Sequence, residues 1–304
     1  MTKSRQDEEF DKFVYKFKKY RRLGIFDSGV GGLSILKYLN EYLDDKQLAA
    51  NFLQNNKEII YIADNGRFPY GTKSNNEILT YTEQIIRWLE QREVDLIIFG
   101  CNTASAIASK QVSKMTALPV LDLIEPVARY VSRLGLKAGI LATQATIQSH
   151  AFSVAIKRYA PLLEVQEIAS AQLVNIVENG DIASKETENL ISGYIDQFLS
   201  NDTQIIVLAC THFSFLQNSI VRLVNGRMQI FDPAQLIAQM LTAPHQDDDH
   251  LTRKSISSTC VTKTTFFVTG NVETFANTAS KCLGYSLKNV NPLLLGDLES
   301  LSHR

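Results

Sequence analysis

Short apolar runs alternate with longer amphipathic segments between residues 23 and 283 of this 304-residue chain. The runs are typical of strands buried on both faces, and the longer segments carry apolar residues at helical spacing. The predicted strands are 23–27, 58–63, 95–100, 119–123, 137–142, 164–168, 204–209, 228–231 and 265–269. The predicted helices are 32–43, 75–92, 103–115, 124–134, 147–159, 171–178, 186–199, 213–224, 234–242 and 271–283. This alternation predicts an α/β fold in which helices cover parallel sheets.

Two of the predicted strands end in a cysteine, and the surroundings of Cys101 and Cys210 match. Each cysteine follows a run of apolar residues, 96–100 or 205–209, and is followed at once by polar residues, Asn102-Thr103 or Thr211-His212. Ligands of open α/β sheets bind at the carboxyl ends of the strands. The N-terminus of a helix stabilises anions and can lower the pKa of a thiol. We therefore predict two activated thiols in equivalent sites, suited to removing a proton from one face of a carbon and returning one to the other.

A short internal repeat supports two similar halves. Residues 24–28 open the first half and residues 139–143 open the second, and each cysteine follows at a comparable distance. The two halves would each supply one cysteine to a shared cleft. The predicted organisation is an N-terminal extension at 1–22, a first α/β domain at 23–120 plus 233–290, a second at 121–232, and a tail at 291–304.

The N-terminal extension carries eight Lys or Arg residues against four Asp or Glu residues. Its apolar residues Phe10, Phe13, Val14 and Phe17 would share one face of a helix. Such a helix would dock on the main body or on an effector, and the alternative is a mobile tail.

Composition narrows the functional classes. The net charge of −1 gives no global signature of nucleic-acid binding. No apolar run approaches the roughly 20 residues of a membrane span, and the polar N-terminus does not match a secretory signal. The four cysteines form no CxxC pair and no disulfide framework. A cytoplasmic enzyme is the expectation.

Three further segments carry candidate chemistry. The Gly-rich loop that follows Asp27-Ser28 suits close approach of a ligand, although it matches neither a P-loop nor GxGxxG. Tyr70 and Gly71 lie in a turn where they could contact a ligand, and Asp27 has a helix cap as its alternative role. His212 could order Cys210 and its proton, or cap a helix.

A metal site is the rival interpretation of the two cysteines. Zinc bound by Cys101, Cys210 and His212 is compatible with the sequence, because the ligands would meet only in three dimensions. The neighbouring Asn and Thr residues favour hydrogen bonding to a substrate over a closed metal shell. The His- and Asp-rich segment within 243–264 is interpreted as an exposed inserted loop, and we assign no metal to the chain.

These segments resemble the glutamate racemases of the cofactor-independent aspartate/glutamate racemase superfamily. The resemblance covers roughly residues 23–290, with the matching segments in order. Its main motifs are Ile25-Phe26-Asp27-Ser28-Gly29-Val30-Gly31-Gly32-Leu33, Pro69-Tyr70-Gly71, Cys101-Asn102-Thr103-Ala104-Ser105 and Cys210-Thr211-His212-Phe213.

The resemblance implies two pseudo-symmetric α/β domains with glutamate bound in the cleft between them. Cys101 and Cys210 would act on opposite faces of the α-carbon, one as thiolate base and the other as thiol acid, assisted by Asp27 and His212 respectively. It implies no pyridoxal phosphate or other cofactor. The positions that match substrate-binding residues of the family are Asp27, Ser28, Tyr70, Gly71, Asn102, Thr103, Glu178, Thr211 and His212.

The predicted function is interconversion of L- and D-glutamate, which would supply D-glutamate for peptidoglycan. The expected partners are this small-molecule substrate and a peptidoglycan-precursor effector at residues 1–22, with no nucleic acid and no membrane; the residues leave the oligomeric state open. The alternatives are a racemase for aspartate or another small acid, a non-catalytic carboxylate-binding protein, and a metal-dependent hydrolase.

Overall fold

The computed structural model describes residues 9, 10, 12, 13, 16, 17, 19–43, 57–242 and 263–301. The strands are β1 Arg22–Asp27, β2 Glu58–Ala63, β3 Leu96–Phe99, β4 Val120–Leu121, β5 Ala138–Ala142, β6 Val165–Ala169, β7 Ile205–Ala209, β8 Gln229–Phe231, β9 Lys263–Val268 and β10 Val290–Pro292. The α-helices are α1 Leu33–Leu43, α2 Asn75–Glu90, α3 Asn102–Met115, α4 Ile124–Leu134, α5 Gln144–Gln148, α6 Ala151–Tyr159, α7 Gln172–Glu178, α8 Lys185–Leu199, α9 Gln217–Val224, α10 Pro233–Thr242, α11 Val272–Leu283 and α12 Leu295–Glu299. Short 3₁₀ turns lie at Asn65–Arg67, Tyr70–Thr72 and Thr211–Leu216.

The strands form two parallel sheets, which confirms the predicted fold class. Strand order is β10-β9-β2-β1-β3-β4 in the first sheet and β6-β5-β7-β8 in the second. The arrangement β2-β1-β3-β4 is thus repeated as β6-β5-β7-β8, as the internal sequence repeat predicts. Since β3 and β7 occupy equivalent places, the two cysteines that follow them do so as well.

Burial explains why the central strands are so apolar. Every residue of β3, β5 and β7 is buried, because helices cover both faces of each sheet. The largest apolar cluster contains residues of both sheets, and α1 packs against α10 between them. The two sheets therefore share one apolar core.

The chain contributes residues 22–121 and 263–292 to the first sheet and residues 138–231 to the second. The exact domain boundaries stay a prediction. The expectation of a tail at 291–304 needs correction, because β10 pairs with β9 and Leu298 of α12 is buried. A strand of three residues ending in proline is too short to produce a recognisable pattern.

Two predicted helices differ in their detail. The helix predicted over 147–159 is broken at His150, whose φ of 52° is left-handed, so α5 and α6 are separate. The helix predicted over 213–224 begins with a tighter 3₁₀ turn and becomes α-helical only at Gln217. Apolar spacing over a few residues does not distinguish these local geometries.

The described part of the N-terminal extension packs on the main body. Phe10 and Phe17 are buried, and the Phe10 ring centroid lies 6.3 Å from that of Tyr130 on α4. The Arg133 guanidinium lies 4.6 Å from the Phe10 ring. Val14 and most of the loop predicted at 243–264 lie outside the described residues. None of the helices that the structure describes is long and apolar enough to cross a membrane.

Candidate active site

Cys101 and Cys210 lie at equivalent strand ends and line the same cavity between the two sheets. Cys101 follows β3 and precedes α3, and Cys210 follows β7 and precedes a 3₁₀ turn. Each is only 5% exposed. The other residues that line the cavity are Ser28, Phe68, Pro69, Tyr70, Gly71, Asn102, Thr103, Thr143, Val174, Thr211 and His212. The fold thus brings the predicted cleft residues together, with Asp27 and Glu178 directly behind them.

On the second-domain side, His212 connects Cys210 to Glu178. Its Nδ1 lies 3.8 Å from Cys210 Sγ, and its Nε2 lies 2.7 Å from Glu178 Oε1. Burial by itself lowers the pKa of His212, but hydrogen bonds and charge interactions with Cys210 and Glu178 raise it well above its usual range. Burial also acts to raise the pKa of Glu178, and the bond to His212 outweighs it, so the net shift is downward. The pair is therefore an imidazolium and a carboxylate, which places a positive charge beside the Cys210 sulfur.

On the first-domain side, Cys101 has a different electrostatic environment. Its Sγ donates a hydrogen bond to Ser28 Oγ at 3.8 Å. Burial and then the nearby Asp27 carboxylate raise the pKa of the Cys101 thiol to about 12, although a backbone hydrogen bond from Ala104 acts in the opposite direction. The predicted activation by the helix N-terminus is therefore outweighed by desolvation at Cys101. In this state Cys101 is a protonated thiol.

Asp27 connects the two halves of the site. This fully buried side chain accepts a hydrogen bond from the Gly29 N–H at 2.7 Å and another from Thr211 Oγ1 at 3.2 Å. Burial raises the pKa of Asp27, while His212 and the Gly29 N–H lower it. Asp27 is therefore held by the backbone of the Gly-rich loop in its own domain and by the turn after Cys210 in the other domain. It does more than cap a helix.

The Gly-rich loop is needed for close approach of the two domains. A Cβ atom on Gly31 would lie 2.5 Å from Thr211 Oγ1 and 2.6 Å from His212 Nδ1. The Val30 N–H, in the same loop, donates to Glu178 Oε1 at 3.1 Å. The loop therefore packs directly on the Cys210 side of the site, where a Cβ on Gly31 would force the Thr211 and His212 side chains to shift.

Asn102 presents an unsatisfied amide to the cavity. Asn102 is 2% exposed, and neither its Oδ1 nor its Nδ2 has a hydrogen-bond partner among the described residues. Buried amides are almost always paired, and each exception needs a physical reason. A polar ligand in the cleft would supply the missing partners.

A cluster of threonine hydroxyls crosses the cleft, and of its members only Thr103 was predicted as a site residue. Thr103 Oγ1 lies 2.9 Å from Thr143 Oγ1, which lies 2.9 Å from Thr146 Oγ1. Thr143 occupies in the second half the place of Ser28 in the first, at the end of the first strand of the repeat. The predicted repeat of 24–28 as 139–143 already pairs Thr143 with Ser28, so the signal for this site residue is present in the sequence.

Tyr70 and Gly71 reach the cleft from the loop after β2. The Tyr70 side chain is buried, and its hydroxyl donates to Asp64, which is also buried. Gly71 lies against Thr143 of the second domain, since a Cβ on Gly71 would lie 3.0 Å from Thr143 Cβ. The ring of Phe68 in this loop also packs near His212, with ring centroids 6.1 Å apart.

The surroundings of the two sulfur atoms bear on the zinc alternative. Within the described ranges, no cluster of three or more His, Cys, Asp or Glu side chains has an arrangement that could hold a metal ion. The near neighbours of the two sulfur atoms are instead a serine hydroxyl and an imidazole that is paired with a carboxylate.

Comparisons with known proteins agree with this geometry. The Asp/Glu/hydantoin racemase family model matches residues 43–241. A glutamate racemase of Gloeothece citriformis is 34% identical over 86% of this chain and 89% of its own. The glutamate racemase of Francisella tularensis, solved in complex with D-glutamate, is similar with a TM-score of 0.76 and 29% identity, covering 93% of this chain and 99% of its own.

A more distant structure shares the fold. Escherichia coli glutamate racemase, solved with L-glutamate and the activator UDP-MurNAc-ala, has a TM-score of 0.66 and 22% identity, and the match covers 90% of this chain and 98% of its own. The sheet repeat, the paired cysteines at its equivalent strand ends and these matches lead to one conclusion: the chain belongs to the Asp/Glu/hydantoin racemase family.

Proposed function

We propose that this protein is a glutamate racemase in which Cys101 and Cys210 exchange the α-proton. The observation that carries the proposal is that two buried cysteines from equivalent strand ends line one cavity. A binding protein has no need of two such thiols, whereas inversion at carbon needs an acid and a base on opposite faces.

The charge states suggest how a turnover starts. Cys101 is a thiol, and the His212 imidazolium beside Cys210 is the kind of neighbour that activates cysteine sulfur. In one direction the Cys210 thiolate removes the α-proton and becomes a thiol, while the Cys101 thiol donates its proton to the opposite face and becomes a thiolate. The electron pair left on the α-carbon takes the new proton. The opposite enantiomer reacts from the reverse protonation state.

The α-proton of an amino acid is a very weak acid, and the surrounding polar groups lower the barrier to its removal. Each tenfold rate increase requires about 1.4 kcal/mol of barrier reduction. Donors directed at a substrate carboxylate stabilise the charge that develops there, and removal of one such donor typically costs about 3 kcal/mol. Asn102 and Thr103 directly follow Cys101 in the sequence and line the cavity, and we assign them this role. Thr211 also lines the cavity, but its hydroxyl donates to Asp27. Closure of the cleft excludes water from the carbanion.

The choice of glutamate as substrate rests on the relatives named above and on a cavity rich in hydroxyl groups from both domains. Circular dichroism of the substrate tests it directly. Both L-glutamate and D-glutamate should lose their optical activity, and kcat/KM should be the same for the two enantiomers. A protein that racemises aspartate and leaves glutamate unchanged would keep the mechanism and overturn the substrate. Binding of glutamate without racemisation would overturn the activity.

We further propose a cytoplasmic role in supplying D-glutamate for peptidoglycan, with a response to a peptidoglycan precursor through residues 1–22. Support comes from the docking of Phe10 and Phe17 on the body. UDP-MurNAc-L-alanine should change the rate of the full chain and leave a variant lacking residues 1–22 unaffected. Equal rates in all four measurements would contradict this effector role.

A further inference from the structure

A buried network of charged and polar side chains lies beside the cleft, and the roles assigned above do not use it. Its centre is Asp64, which follows β2 and is fully buried. The carboxylate accepts a hydrogen bond from Arg67 Nε at 2.8 Å, one from Thr269 Oγ1 at 2.8 Å and one from the Tyr70 hydroxyl. One carboxylate thus connects Arg67 and Tyr70, both in the loop that brings Tyr70 to the site, with Thr269 after β9.

Other contacts hold the same loop from its outer side. Arg67, 7% exposed, donates to the Gln84 side chain on α2 and lies 4.2 Å from the ring centroid of Tyr81. The Gly270 N–H, just after β9, donates to Asn65 Oδ1 at 2.8 Å. The loop is therefore anchored to α2 and to the end of β9. The ion pair between Asp64 and Arg67 lies between these two anchors.

A buried ion pair is a poor means of gaining stability, because desolvation of the two charges offsets most of their attraction. Its directional bonds do set geometry. The Asp64–Arg67 pair lies where geometry matters, since Tyr70 and Gly71 line the cavity that contains both cysteines.

The Tyr70 hydroxyl has a single proton, and it donates that proton to Asp64. It therefore cannot donate to a substrate carboxylate at the same time. What Tyr70 offers the cleft is its ring and its backbone.

We propose that Asp64 and Arg67 are positioning residues, which act through the Tyr70 hydroxyl to hold the 65–72 loop against bound glutamate. This inference rests on the proposed racemase activity. It changes the role of Tyr70 from a substrate donor to the connection between the buried network and the substrate loop.

A positioning role and a purely structural role of this network predict different kinetics. A loop that contacts the substrate away from the α-carbon holds the ground state and the transition state alike, so its disorder raises KM with little change in kcat. The enantiomers have equal free energies in water, so kcat/KM must fall by the same factor in both directions. A purely structural role would instead lower the folded fraction and kcat while KM stays constant.

The first test compares Tyr70→Phe with a matched control, Tyr38→Phe. The Tyr38 hydroxyl likewise lies 2.9 Å from a buried aspartate, Asp232, and also contacts the Gln217 side chain, but Tyr38 does not line the cavity. Both variants should lower Tm by a similar few degrees. We expect KM for D- and L-glutamate to rise roughly tenfold in Tyr70→Phe only, with kcat within about threefold of wild type.

The second test asks whether Tyr70 acts through Asp64. In an Asp64→Ala background, adding Tyr70→Phe should change KM by less than about twofold, because alanine offers no acceptor and the bond is already lost. If Asp64→Ala does not fold, the comparison of Tyr70→Phe with Tyr38→Phe decides alone.

Two results would overturn the positioning role: an unchanged KM in Tyr70→Phe, or multiplicative effects of the two substitutions. Both require an active wild type. A wild-type protein without glutamate racemisation would instead refute the proposed function, so the two failures are distinguishable.

Discussion

The side-chain amide of Asn102, the first residue of α3 after Cys101, is buried without a hydrogen-bond partner among the described residues. An unsatisfied buried polar group lowers stability by about 1–3 kcal/mol, and a substrate that supplies its partners recovers this free energy. Stability and activity therefore conflict at this residue.

Asn102→Ala should separate the two effects. We expect Tm to stay equal or to rise, because the unpaired amide is removed, while kcat/KM falls roughly a hundredfold through loss of a carboxylate donor. Thermal denaturation and racemisation assays measure both. Asn40→Ala is the control, since Asn40 donates to Tyr285 at an exposed site. A large drop in Tm with full activity would contradict the assignment.

The His212–Glu178 pair predicts a pH dependence of stability. The raised pKa of His212 contributes stability that is complete below its unfolded value of about 6.5 and is lost as pH rises through the folded value. The lowered pKa of Glu178 contributes stability above about pH 4.5 that is lost on acidification. The pair thus stabilises the fold most between these two values.

The Tm difference between wild type and Glu178→Gln measures this contribution. It should be largest near pH 5–6.5 and shrink as pH rises further. Glu167→Gln is a matched control, because Glu167 makes a 2.7 Å contact with the exposed His150 and should affect Tm little at any pH. A Tm difference for Glu178→Gln that grows with increasing pH would refute the charge states assigned here.

At the scale of elements, structure is predictable where apolar runs or clear helical periods occur. The positions of β3, β7 and the cysteines that follow them are readable from the sequence, because short apolar runs bounded by polar residues are typical of buried parallel strands. The strand β10, the break at His150 and the role of Thr143 were not predicted. Each of these depends on a few residues whose geometry is set by tertiary packing, as β10 is by pairing with β9.

The Gly-rich loop and the turn after Cys210 are two elements whose close contact can be tested by substitution. Gly31→Ala should push the loop away from Thr211 and His212 and lower kcat at least tenfold, because a small misplacement of catalytic groups is costly. Gly193→Ala in α8 is the control: apart from its chain neighbours and the adjacent backbone of α8, no described atom lies within 4 Å of the added Cβ, and the helix should gain up to about 1 kcal/mol. Wild-type kinetics in Gly31→Ala would contradict the close packing.

At the scale of the whole molecule, two similar sheets place equivalent strand ends on opposite sides of one cavity. The repeat predicted this convergence from sequence alone, whereas the differing charge environments of Cys101 and Cys210 emerge only in three dimensions. Desolvation and the Asp27 charge act on Cys101, while the His212–Glu178 pair acts beside Cys210. The asymmetry suits a pair of groups of which one starts as acid and the other as base.

The most direct test of this account is α-proton exchange of each glutamate enantiomer in D₂O. Wild type should incorporate deuterium at the α-carbon as it racemises, and Cys101→Ser and Cys210→Ser should each lower racemisation by roughly a hundredfold or more. Cys282→Ser, outside the cavity, should behave as wild type. Racemisation without deuterium incorporation, or full activity after either cleft substitution, would contradict the two-thiol mechanism.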